Sequence, residues 1–73
     1  MIFVDASAIV AFILAEPEAT ALAAALDRGQ PAFTSPIAIY EASLAVSRAS
    51  GQPVPLAQTD VRQTLQRMEI AIV

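Results

Sequence analysis

The chain has 73 residues, enough for a single small domain spanning 1–73. It holds no cysteine and no histidine, which excludes disulfides and the thiolate and imidazole ligand sets of zinc sites, so any bound metal would rest on oxygen ligands, as Mg²⁺ or Mn²⁺ does. Four arginines stand against seven acids for a net charge of −3, the wrong sign for gripping nucleic acid by phosphate neutralisation alone, though an acidic site can borrow the positive charge of its cation.

Hydrophobic residues make up 56% of the chain, much of it alanine and little of it aromatic. That composition describes a helix-rich packed domain and argues against disorder. It also implies apolar surface kept for a partner or for a further portion of the fold. The apolar stretch from Ala6 to Ala15 follows no Lys or Arg, so it does not read as a signal peptide. It also falls short of the ~20 residues that span a bilayer. It is expected to be buried core in a cytoplasmic protein without membrane association.

Ile2 to Val4 is a continuous apolar run, the pattern of a strand buried on both faces. Ser7 then offers an N-cap for a helix over Ala8–Ala15, with apolar residues around most of its circumference. Glu16-Pro17-Glu18 interrupts it. A second helix is expected from about Glu18 to Asp27, stopped at Gly29. Pro31 to Thr34 reads as a second strand. Ser35-Pro36 opens a third helix, with Ser as N-cap and Pro at the first helical position, running to about Ser50 and ended by Gly51. Gln52-Pro53-Val54-Pro55 reads as a loop before a fourth helix from about Leu56 to Arg67. Ile70 to Val73 is a third apolar run. The order β-α-α-β-α-α-β implies an α/β fold, a parallel sheet with helical crossovers flanking it.

Two acids stand out. Asp5 directly follows the first strand, and ligands of open parallel α/β sheets bind beyond the carboxyl ends of the strands. A helix-capping role competes with that reading, since Asp near a helix start accepts backbone N–H bonds. Glu41 falls on a helical wheel among Ile37, Leu44 and Ala45, away from Tyr40, Ser43 and Ser47. A glutamate in an apolar stripe is costly unless it is paired or bound to a cation; Arg48, or exposure of that face, is the alternative account. Thr34 is a weaker candidate, a strand-end hydroxyl near the same site. Glu16 and Glu18 read as surface charges at a helix junction, and Asp27, Asp60 and Glu69 as solvated boundary charges.

The run Ile2-Phe3-Val4-Asp5-Ala6-Ser7-Ala8, then Glu16-Pro17-Glu18, then Thr34-Ser35-Pro36 leading to Glu41, and the closing Met68-Glu69-Ile70-Ala71-Ile72-Val73 together resemble PIN-domain ribonucleases, especially VapC-like toxins of type II toxin–antitoxin systems. The resemblance implies a three-layer α/β domain and a Mg²⁺- or Mn²⁺-dependent endoribonuclease. It implies Asp5 and Glu41 as the first two metal-binding catalytic carboxylates, with Ser7 supporting Asp5. The implied partners are an RNA substrate, a cognate antitoxin and either a second copy of the chain or a C-terminal half. Family members are expected to run to roughly twice this length as one domain, with two further metal-binding aspartates in the second half. The chain therefore resembles an N-terminal portion, with sheet and helix surface left uncovered.

Overall fold

A computed structural model describes all residues, 1–73. Its elements are β1 (Ile2–Phe3), α1 (Ala6–Ile13), α2 (Ala19–Asp27), β2 (Ala32–Thr34), α3 (Pro36–Ser50), α4 (Val54–Arg67) and β3 (Ala71–Ile72). The three strands form one parallel sheet in the order β1-β2-β3, with Ile2 beside Ala32, Phe3 beside Phe33, and Phe33 beside Ala71. The β-α-α-β-α-α-β order and parallel pairing are those expected from the sequence.

Each crossover moves one strand further in the same direction. Two right-handed crossovers of that kind place both helix pairs on one face of the sheet. The packing agrees, because α1 touches α2, α3 and α4, and α3 packs along α4. The strands alternate accordingly. Val4, Ala32, Thr34 and Ile70 face the helices and are buried, whereas Phe3 and Ala71 are exposed on the other face. There Phe3 and Phe33 stack in a tilted pair with ring centroids 5.3 Å apart. These residues thus build two layers, and the second flanking helical layer expected from the resemblance is not formed by them.

The core is a single cluster that includes Val4, Ile9, Ile39, Val46, Val61 and Leu65. Where α3 meets α4 the side chains are small: Ala42 and Ala57 are both fully buried. Small residues let helix axes approach closely, so this seam depends on fit more than on buried volume. No helix is long and apolar enough to cross a membrane.

Helix boundaries follow their caps, and the starts of α1 and α4 differ from expectation. Asp5, not Ser7, caps α1: its Oδ1 accepts the Ala8 N–H at 2.9 Å, and its backbone is extended (φ −83°, ψ 176°). The helix therefore starts two residues earlier than expected. Ile9 and Ala11 are buried, Ala6, Ala8, Val10 and Ile13 pack partly buried against the core, and Ser7 is the one exposed residue of the helix. Helix α4 begins at Val54, taking Pro55 into its first turn, where a missing N–H costs nothing. Ser35 caps α3 as expected, accepting from Ala38 N–H at 3.1 Å, and Gly51 ends it in the left-handed region at φ 77°.

Two helix ends place non-glycine residues in that left-handed region: Ala15 at φ 55° and Glu69 at φ 57°. In both the chain closes a Schellman motif. Glu16 N–H reaches Ala11 O at 2.8 Å and Ala15 N–H reaches Phe12 O at 3.3 Å; at the end of α4, Ile70 N–H reaches Leu65 O at 2.9 Å and Glu69 N–H reaches Gln66 O at 3.1 Å.

Candidate functional site

The parallel sheet brings the carboxyl ends of β1 and β2 to one edge, and α1 and α3 both start there. Asp5 follows the buried Val4 at that edge and is itself exposed. The cap bond holds its carboxylate against the first turn of α1 through Oδ1. The other carboxylate oxygen is left for an outside ligand. The two readings of Asp5 are therefore compatible: the residue caps the helix and still presents an anion at the strand end.

Asp5 opens onto a concavity of about 430 Å³ lined by Asp5, Ser7, Ala8, Ala11, Glu16 and Glu18. It runs along the small-residue flank of α1. The left-handed Ala15 turns the chain so that Glu16 and Glu18 border its far end. Helix α1 has eight residues, roughly 12 Å of rise, so the two glutamates share the concavity with Asp5 without converging on it. Glu16 and Glu18 are exposed at the helix junction, as expected, and both also border this concavity. The signal for their location was the short helix between them and Asp5, whose alanines at 8 and 11 leave one flank open.

Glu41 lies on the second turn of α3 and is exposed. It does not lie in a buried apolar stripe as the helical wheel suggests; the alternative, exposure of that face, holds. Ala38, Ile39, Ala42, Ser43 and Val46 form the buried face, while Ile37 is 72% exposed. The apparent polar wedge misled because Ser43 satisfies its hydroxyl within the helix, donating to Ile39 O at 2.7 Å, and so enters the core. Glu41 incurs no burial cost, and its case as a ligand rests on position and on the family pattern. It does not line the concavity at Asp5.

Ser7 is exposed at the second position of α1 and lines the concavity beside Asp5. Thr34 does not face this opening. It is fully buried, and its hydroxyl donates to Val4 O at 2.6 Å.

The donor chemistry available to a cation is all oxygen: Asp5, Ser7 and Glu41. No three acidic side chains converge to form a complete metal cage. That donor set fits a strongly hydrated hard ion such as Mg²⁺, which is held by one or two carboxylates plus substrate phosphates and keeps several waters. It does not fit an ion that needs to be enclosed by protein.

A family model described as PIN domain matches residues 2–73. No curated protein and no solved structure matches the chain.

Proposed function

Because the chain belongs to the PIN-domain family, a family of nucleases matched over residues 2–73, we propose that it supplies Asp5 and Glu41 to a Mg²⁺- or Mn²⁺-dependent endoribonuclease site of a toxin in a toxin–antitoxin system. The observation that carries this reading is the placement of Asp5. A carboxylate is fixed by its own helix cap at the carboxyl end of a parallel strand, at the mouth of a concavity.

In this reading Asp5 contributes one carboxylate oxygen to the cation, while its capping oxygen keeps the side chain from swinging away. Glu41 adds a second carboxylate from α3, directly or through water. Ser7, next to Asp5 on the same concavity, supports the first acid. A bound Mg²⁺ or Mn²⁺ supplies an activated water and offsets the charge that builds on the scissile phosphodiester. The acids around the opening repel phosphate by themselves, and the chain carries −3 overall. RNA would therefore approach productively only when the cation is present, and the expected reaction is in-line attack of water on a phosphodiester.

The test is RNA cleavage by the complete protein with Mg²⁺ or Mn²⁺, with chelator, and with Asp5→Asn. Cleavage that needs the ion and disappears in Asp5→Asn supports the reading. Turnover unchanged by Asp5→Asn defeats it.

A second reading is a non-catalytic PIN module that occupies an antitoxin or oligomerises. It is favoured by the absence of a three-acid cluster and by the open sheet face bearing Phe3 and Ala71. Mn²⁺ binding by the 73-residue chain separates the two, because a module without metal chemistry has no reason to bind it.

A further inference from the structure

The ends of the three strands meet at one residue. Thr34 closes the central strand β2 and is fully buried, one of two polar residues in the chain with that property. The other, Ser43, bonds only within its own helix. Thr34 reaches across the sheet. Its hydroxyl donates to Val4 O at 2.6 Å, thirty residues away in sequence.

The ladder explains why a hydroxyl is needed there. Ile2 N–H donates to Pro31 O at 2.9 Å and Val4 N–H to Phe33 O at 2.8 Å. The next rung of a regular parallel ladder would run from Ser35 N–H to Val4 O. Ser35 is instead the cap of α3, where the chain leaves the sheet. The Thr34 hydroxyl takes that rung. Val4 O belongs to the peptide joining Val4 to Asp5, so the bond fixes the plane from which Asp5 departs. On the other side, Val73 N–H donates to Thr34 O at 3.0 Å. The residue after Thr34 caps the helix that bears Glu41.

We infer that Thr34 is a positioning residue: its buried hydroxyl locks the β1–α1 turn, and with it the Asp5 carboxylate, against the start of α3. The consequence for metal binding rests on the reading of Asp5 as a ligand; the hold on the Asp5 turn does not. Valine has nearly the shape of threonine and lacks the hydroxyl, so Thr34→Val keeps the packing and leaves Val4 O unpaired in the core. Thr34→Ser keeps the hydroxyl.

The experiment measures amide hydrogen exchange of the metal-free protein at Ala8, whose N–H is bound by Asp5, and at Leu65 in α4, together with Mn²⁺ titration. Thr34→Val is expected to speed exchange at Ala8 by about tenfold more than at Leu65, and to weaken Mn²⁺ binding about tenfold, the lower end for loss of a group that orients a metal ligand. Thr34→Ser restores both. Equal acceleration at Ala8 and Leu65 would mean a uniform loss of stability and would overturn the inference, as would a Thr34→Ser variant no better than Thr34→Val. Selective exposure of Ala8 supports the inference whether or not Mn²⁺ binds, and failure of the wild type to bind Mn²⁺ overturns the metal reading alone. The wild type gives a check that needs no variant: the Thr34 hydroxyl proton should be protected from solvent and resolved in the NMR spectrum. A freely exchanging hydroxyl would refute its role.

Discussion

Asp5 caps α1, and the proposed function asks it to hold a cation as well; substitution can separate the two. Its Oδ1 accepts the Ala8 N–H at 2.9 Å, satisfying one of the donors left open at the start of an eight-residue helix. Replacing Asp5 by Ala removes that bond, a loss of about 1 kcal/mol for a typical N-cap. Asn caps a helix about as well as Asp, so Asp5→Asn keeps the bond and removes only the charge. The side chain is exposed, so its attraction to the helix dipole is screened. In a chain of 73 residues, a change of about 1 kcal/mol moves Tm by roughly 4–8 °C. Thermal melts followed by circular dichroism should therefore place Asp5→Ala several degrees below wild type and Asp5→Asn within about 2 °C of it, an interval that a few tenths of a kcal/mol would produce. Mn²⁺ binding should fall in both. Equal melting temperatures for Ala and Asn would refute the cap, and undiminished Mn²⁺ affinity in Asp5→Asn would refute the ligand.

Ala15→Gly and Glu69→Gly should each stabilise the fold. Both positions sit in the left-handed region at the end of a helix, where a Cβ costs about 1 kcal/mol that glycine avoids, and melts should rise by a few degrees. The α3–α4 seam should resist enlargement: Ala57 is fully buried, so Ala57→Leu is expected to lose about 1–3 kcal/mol in urea unfolding, whereas an unchanged midpoint would mean the seam has spare volume. The open sheet face should drive self-association. Replacing both Phe3 and Phe33 with Ser should reduce light scattering at high concentration, and no change would show that face to be inert.

The coarse architecture was legible because its signals are local and redundant. Apolar runs marked the strands, and Ser35-Pro36 and Gly51 marked the limits of α3 by cap chemistry that the structure reproduces. The start of α1 was misplaced because Asp5 and Ser7 are both good caps, and local chemistry does not say which one the strand delivers into extended geometry. The surroundings of Glu41 were misread for a different reason. A helical wheel weighs a serine as polar, but Ser43 hides its hydroxyl on Ile39 O and packs as a small residue. The buried face of α3 is consequently defined by alanines and one serine, with Ile37 outside. The bond made by Thr34 and the placement of Glu16 and Glu18 beside the concavity depend on register across strands and on the turn at Ala15. Those are tertiary facts, absent from any window of sequence.

The placement of the helices carries the same lesson about layers. Two crossovers of one hand leave one sheet face without a helix, so a flanking layer on each side is not available to these four helices. Exposed Phe3 and Ala71 are the local record of that topology.

The proposed function depends on one hard cation held jointly by Asp5, at the cap of α1, and Glu41, on the second turn of α3. Its most direct test is calorimetric titration of Mn²⁺ into wild type and Glu41→Gln, with thermal melts alongside. Glu41 is exposed, so Glu41→Gln should leave the melt within about 0.5 kcal/mol of wild type, as surface substitutions do. A single Mn²⁺ site is expected in the wild type, weakened at least tenfold in Glu41→Gln at unchanged stability. Binding of equal strength in the two proteins, or no binding in either, would contradict it.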